Sequence, residues 1–373
     1  MSINSAHLNE IIKVKPRERG GTIAANRQEY QRNWTLCYLL RIHDATRDYT
    51  ILLDYHDDVV AIDNTQDLKA IDFFQIKTDK SSKWTLATLL KRKKDKEGSD
   101  TGYSICGKMY ANKMAFPDRT RSLNFISNSQ FNIPLDGEDA KITTVDEFEI
   151  TKLKSDSREE LAKAIQSEFG LPSLPQFDVS ILFRRDTLNW DGHDKQAIGE
   201  LVEYLDKRCP DGQFAAKAAF KALAQVILQK TSCERLIEDP AELVRLKGIT
   251  RCEFEGMIEQ ILRSEGKDSA KRETEILRYL QNESFPLMEV KQLQREWRKY
   301  TTQRIDVANP AIYELKKLST EAIKEYTQNN SSCTIRQVME GCTLIVRGKI
   351  SAAFPFDENY IKAAVLVEFY ESE

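Results

Sequence analysis

A chain of 373 residues, 41% hydrophobic and 30% charged, is long enough for two or three domains, or for one domain with a large helical extension, and its composition excludes global disorder. A net charge of −3 excludes a wholly basic nucleic-acid coat protein, and only four histidines count against a His-rich metal site. Seven cysteines with no CxxC pair read as reduced thiols of a cytosolic protein, and neither a signal-peptide pattern at MSINSAHLNEIIKVKP nor a run of about 18 apolar residues points to a membrane.

In chain order, residues 1–20 are polar, end in PRERGG and read as a flexible lead-in. From Thr22 to His43 the residues Ile23, Tyr30, Trp34, Cys37, Tyr38 and Ile42 recur largely at three- and four-residue steps, which predicts a helix. The period then changes. YTILLDY (49–55), DDVVAID (57–63) and IDFFQIKT (71–78) are rich in strand formers and read as three short strands, with NTQDLKA (64–70) a polar hairpin connector. A helix is expected from about Ser82 to Lys93, GYSICGKMYANK (102–113) is open between strand and helix, and SLNFISNSQF (122–131) reads as a strand. Ser155–Phe169 reads as a helix with Ser157 as cap and Glu160 three residues on, and FDVSILFRR (177–185) as a further strand. From Asp194 the pattern is almost wholly helical, over 194–208, 213–230, 250–264, 270–283, 287–302 and 309–328. A short strand at CTLIVRGKI (342–350) and a last helix at ENYIKAAVLVEFY (358–370) complete the chain. The change of pattern at WDGHD, near Trp190–His193, sets the expected boundary between a mixed α/β domain (21–192) and a mainly helical assembly or regulatory domain (193–373).

Chemistry concentrates in the second and third strands. Hydrolysing a phosphodiester at neutral pH needs carboxylates that hold a divalent metal, an activated water and a group that neutralises charge building on phosphorus. Residues i and i+2 of a strand face the same side, so Gln75 and Lys77 project together while Phe74 and Ile76 face a core; on the preceding strand Asp58, Val60 and Ile62 share a face. The expected roles are Asp58 as the main ligand of Mg2+ (or Mn2+), Gln75 as an amide-oxygen ligand or holder of a water, the Ile76 carbonyl as an extra ligand, and Lys77 beside the attacking water or the scissile phosphate. Asp57 and Asp54 are reserve carboxylates, and Glu29 and Gln31 on the first helix complete the candidate set. From Lys77 to Arg121 there are 12 Lys/Arg against 5 Asp/Glu, a balance of +7, whereas 134–160 carries 9 acids and 4 bases. A basic segment directly after an acidic site suits a phosphate backbone, with Lys80, Lys83, Lys91, Arg92, Lys93 and Lys94 as DNA-binding candidates; the bland reading of KRKKDKEGSD (91–100) is a solvated loop tip.

An acid on one strand and an amide and lysine at QxK on the next resemble the PD-(D/E)XK nucleases, with their α/β restriction-endonuclease-like core. GGTIAANRQEYQRNWTLCYLL (20–40) resembles the Gly-Gly…Tyr-Gln helix of a bacterial antiphage double-stranded DNA endonuclease domain found in CD-NTase-associated nucleases and in nuclease partners of HerA-type ATPases. LLDYHDDVVAID (52–63) and IDFFQIKTDKSSKWTL (71–86) look like that domain's acid-x-x-Asp-Asp-Val and Phe-x-Gln-x-Lys-Thr strands, and GKMYANKMAF (107–116) and LNFISNSQF (123–131) like its later blocks. The resemblance covers roughly residues 16–230 and implies metal-dependent, sequence-nonspecific cleavage of double-stranded DNA in prokaryotic antiphage defence. It implies Asp58, Gln75, Lys77 and Gln31 as the catalytic set, and departs at Asp54, where a glutamate is common. The helical half lacks the mixed α/β pattern of the cyclic-oligonucleotide sensor that follows the CD-NTase-associated nucleases. The branch that docks on a hexameric HerA-like ATPase is therefore the expected one, with a homo-oligomer as the expected state.

Other readings compete. A nuclease-derived scaffold that binds DNA or a motor without cutting has the same fold, and an RNA-directed nuclease stays open because the parts that read the 2′-OH are not placed. His56-Asp57 with His43 suggests an HD phosphohydrolase, but that fold draws its ligands from helices and 57–63 reads as strand. No Walker A sequence is present, so any ATP hydrolysis belongs to a partner.

Overall fold

The computed structural model describes residues 20–371 except 46–47, 66, 80–82, 99, 138–144, 176, 178–180, 211, 213, 236, 266, 305–308 and 331. The expected lead-in, residues 1–20, lies almost wholly outside the described residues. Helix α1 (Gly20–Ala45) opens the structure. Its first turns are exposed, Ile23 among them, and burial begins at Tyr30, from which Trp34, Leu36, Cys37, Leu39 and Leu40 are all sealed. A helix buried on nearly every side, as α1 is over residues 33–40, is one packed between layers. Trp34 is held at its polar end as well, its indole Nε1 donating to Asp186 at 2.8 Å.

Strands β1 (Thr50–Tyr55), β2 (Asp57–Ile62) and β3 (Ile71–Lys77) form an antiparallel meander. A four-residue helix α2 (Leu86–Leu89), a two-stranded ribbon of β4 (Lys93–Lys94) and β5 (Asp100–Thr101), and helix α3 (Ile105–Ala115) lead to β6 (Thr120–Ser127). β6 pairs parallel with β3, as a crossover through a helix allows. β7 (Glu147–Glu149), helix α4 (Ser155–Phe169) and β8 (Ile181–Arg185) extend the sheet, with β8 parallel to β6 and antiparallel to β7.

The chain then runs through α5 (His193–Arg208), α6 (Ala216–Thr231) and α7 (Pro240–Lys247), and returns to the sheet. β9 (Gly248–Thr250) pairs antiparallel with β1, so the seven-stranded order is β7-β8-β6-β3-β2-β1-β9. α8 (Arg251–Glu265) follows at once. Five further helices, α9 (Lys267–Asn282), α10 (Leu287–Gln303), α11 (Pro310–Asn329), α12 (Ile335–Lys349) and α13 (Glu358–Glu371), build a separate apolar cluster. Among the described residues no helix is long and apolar enough to cross a membrane.

Side-chain alternation divides the sheet between two cores. Ile51, Leu53, Val59, Ala61, Phe74 and Ile76 face α1, α5, α6 and α8. Leu52, Val60, Phe73, Leu123, Phe125, Ile181 and Phe183 face α3 and α4. Each fully buried large apolar side chain contributes about 1.5–3 kcal/mol, so both faces are needed to hold the sheet.

Several expectations meet a different structure. The expected boundary near Trp190–His193 falls inside a packed layer, because Leu201, Ala219, Ile227, Ile249, Phe254 and Ile261 share one cluster with Trp34 and Phe74. Residues 342–349 are helix, not strand: Val338, Met339, Cys342 and Val346 lie on one buried face of α12, and Thr334 with Gln337 forms a capping box. The expected helix from Ser82 shrinks to Leu86–Leu89, since Trp84 is drawn into an extended bridge with Phe131 and its indole donates to Ser127 Oγ at 2.7 Å. The open segment 102–113 becomes α3, capped by Ser104. Ser157 does not cap α4, which begins two residues earlier, at Ser155.

Candidate active site

The three antiparallel strands deliver the site. Asp58 stands at the start of β2, and Gln75 and Lys77 at the end of β3, on the sheet face shared with Val60 and Phe73. One oxygen of Asp58, Oδ2, accepts from Gln75 Nε2 at 2.6 Å, from the Ile76 N–H at 2.7 Å and from Lys77 Nζ at 3.2 Å. From the other side of the sheet, α1 sends Gln31, whose Nε2 donates to the Ile76 carbonyl at 3.0 Å. Asp58 is mostly covered, whereas Lys77 keeps 35% of its side chain exposed and so reaches the solvent-facing cavity.

That cavity, about 510 Å³, is lined by Asp54, Asp57, Asp58, Gln75 and Lys77 of the strands, by His56 of the turn, and by Tyr103, Lys108, Ala111 and Asn112. A second, narrower cavity of about 270 Å³ lies on the far side of Asp54 and Asp58, between α1 (Gln28, Gln31, Arg32, Thr35) and the end of α6 (Thr231, with Ser232 and Glu234 beyond). The two cavities meet at Asp54 and Asp58. Asp57 turns away from Asp58 toward α3: its Oδ2 accepts from Asn112 Nδ2 at 3.0 Å, and its Oδ1 from the Asp58 N–H at 2.9 Å. Burial first, and then the neighbouring Asp58 carboxylate, push Asp57 up to about 7.

The residue types fit a hard cation. Asp58, the amide oxygen of Gln75 and the Ile76 carbonyl are oxygen donors, the set that suits Mg2+ or Mn2+ rather than softer metals. Among the described residues no group of three His, Cys, Asp or Glu stands ready to hold a metal, so a carboxylate, an amide and a carbonyl would share it with water and substrate oxygens.

The structure thus gathers Asp58, Gln75, Ile76, Lys77 and Gln31, with Asp57 and Asp54 on the same cavity walls. Glu29 is exposed and lines neither cavity, because the pocket-facing side of α1 carries residues 28, 31, 32 and 35. Lys83, Lys91, Lys93 and Lys94 are exposed, the last two on the β4–β5 ribbon. Arg92 is partly covered and bound along the ribbon, its Nε donating to the Gly102 carbonyl at 2.8 Å, and so braces it. Lys80 lies outside the described residues. His43 is buried between Tyr49 and Glu255 and lines neither cavity, so it makes no metal pair with His56. Tyr103, Lys108 and Asn112 are site residues that the sequence alone does not single out. Lys108 and Asn112 reach the site from the crossover helix and Tyr103 from just before it, and the only local sign is the GKMYANK block that holds the first two.

A three-stranded meander, a crossover helix and a parallel fourth strand form an α/β core of the PD-(D/E)XK nuclease type, here with a large helical C-terminal part. The family model for the Cap4 dsDNA endonuclease domain matches residues 19–231. The chain belongs to that family, whose domain is a hydrolase acting on DNA. No curated protein and no solved structure matches the chain.

Proposed function

We propose that this chain is a Mg2+- or Mn2+-dependent endonuclease that cuts double-stranded DNA with little sequence specificity, in the cytoplasm of a prokaryote and in defence against phage. The observation that carries the reading is the convergence of Gln75, Ile76 and Lys77 on one carboxylate oxygen of Asp58, at a cavity open to solvent.

Asp58, Gln75 and the Ile76 carbonyl would hold the cation, with Gln31 fixing the strand through the Ile76 carbonyl. The bound cation would supply Lewis-acid polarisation of the phosphate and a more acidic water. Lys77, flexible and partly exposed, sets its ammonium toward the scissile phosphate and neutralises charge there. Lys108 brings a second positive charge from α3 to the same cavity. Asn112 holds Asp57, which keeps that carboxyl from swinging onto Lys77. The exposed lysines of the ribbon, together with Lys83 and Lys91, offer phosphate contacts that fix the duplex without reading bases, consistent with low sequence specificity.

The helical C-terminal part is read as the surface that assembles copies of the chain and docks on a HerA-like hexameric ATPase. This rests on the resemblance in the sequence and on an apolar cluster separate from the two sheet cores. Co-elution of chain and ATPase on size exclusion supports it, and a monomer that never binds the motor removes it.

The central test is incubation of supercoiled plasmid with the chain and Mg2+ or Mn2+, with and without the ATPase and ATP. Cleavage that stops with chelator and with Lys77→Ala is expected. A wild-type chain that binds DNA and cuts under none of these conditions would overturn the catalytic reading in favour of a scaffold.

A further inference from the structure

The turn that carries the acidic residues has an uncommon backbone. Asp54 (φ 48°) and His56 (φ 66°) both adopt left-handed conformations, around a Tyr55 that stays paired with Asp57. Side chains other than glycine hold such a conformation where surrounding groups fix it. A group that holds Asp54 comes from beyond the 19–231 family match. Lys247, the last residue of α7, is only 4% exposed. Its ammonium donates to the Asp54 carbonyl at 3.4 Å and to the Thr231 carbonyl at 3.3 Å, and stands 4.0 Å from Asp54 Oδ2. A buried ammonium persists only when it is paired and hydrogen-bonded. Here it joins the end of β1 to a terminal carbonyl of α6, where the helix has no partner of its own.

Lys247 is itself set in place by its neighbours. Gly248 is in register with Leu52 of β1. A Cβ on Gly248 would stand 2.6 Å from the Val244 carbonyl oxygen, so glycine is what lets α7 turn directly into the edge strand. From α6, Lys230 donates to the carbonyls of Gly248 and, at 3.2 Å, of Arg245.

We infer that Lys247 is a positioning residue of the active site: it clamps the Asp54 turn to the α6 end, and so presents the Asp54 and Asp58 carboxylates to the cavities they share. The functional part rests on the nuclease reading; the structural part does not. The test compares wild type, Lys247→Met and Lys247→Arg in the full chain. In metal-free protein, hydrogen–deuterium exchange of peptides spanning 54–58 should quicken about tenfold or more in Lys247→Met, the size of a lost hydrogen bond to a charged group, while peptides of α11–α13 stay unchanged. Calorimetric Mn2+ affinity should weaken by a similar factor, and kcat should fall with KM for DNA unchanged. Lys247→Arg, which keeps the charge, should recover much of each. Wild-type exchange at 54–58 together with wild-type Mn2+ affinity in Lys247→Met would overturn the proposal. Should Lys247→Met fail to fold, native-state exchange of the wild type in rising denaturant decides: 54–58 must open together with 240–250, and a turn that opens while 240–250 stays protected defeats it. The exchange and Mn2+ arms judge the clamp even if the wild type does not cut DNA, a result that would count against the nuclease reading alone.

Discussion

Asp58 gathers three donors on one oxygen, which makes it structural as well as chemical. Asp58→Ala should abolish cleavage and also lower stability by about 1–3 kcal/mol, because the Ile76 N–H and the Gln75 amide lose a buried acceptor; denaturant unfolding checks this. Lys77→Ala separates the two effects. Its ammonium is partly exposed, so the melting temperature should hold while kcat falls by about 10²–10³-fold, the usual cost of removing one charge-stabilising donor. His43 supplies a pH dependence away from the site. Burial lowers its pKa, and the neutral ring is already satisfied by Tyr49 at 2.8 Å and by Glu255. Below about pH 6.5 the unfolded chain takes up a proton that the folded ring resists, so stability is full above that pH and declines as pH falls. Unfolding free energies from pH 8 to 5 should show this slope, and His43→Gln should flatten it. Asp58, Gln75 and Lys77 were legible from sequence because strand parity puts i and i+2 on one side. Asn112, Lys108 and Lys247 were not, since they arrive from helices 30 or more residues away and no local spacing announces them.

Among the elements, α1 and most of the later helices could be read because their apolar periods are long and regular, and the three meander strands because strand formers crowd into them. Failures came where one contact overrides the period. CTLIV has the composition of a strand, yet α12 buries it at helical spacing against α11 and α13. GIT is too short for any period, and it becomes a strand only because β1 leaves an edge open to it. The β4–β5 ribbon, by contrast, packs its backbone and frees its lysines. Replacing Lys91, Lys93 and Lys94 together by Ser should leave the fold intact and weaken DNA binding about equally for all sequences. The plot of log affinity against log salt should become shallower by about 0.9 for each phosphate that is no longer neutralised, and an unchanged slope would return the segment to a solvated loop tip.

Taken whole, the molecule has two cores on the sheet and a third in the helical part, and the chain crosses between sheet and helices through α8. There the Gln260 amide donates to the Arg304 carbonyl at 2.6 Å, and the Arg304 side chain is buried against Glu368 and Glu371. Arg304→Ala should destabilise the helical part by about 3–5 kcal/mol, because it strands a buried carboxylate; a separate early transition in calorimetry is the expected sign. The three-residue β9 has a further consequence. It is the rim of the sheet beside the acidic turn, and it is spliced to the helical tail with no slack, Thr250 running straight into Arg251. A chain cut at 231 would bare Thr50–Leu52 of β1 and tend to stick to its own kind, whereas one cut at 265 keeps those residues covered. Traction on the tail would then pass through β9 and β1 to the acidic turn before it reached β2 and β3.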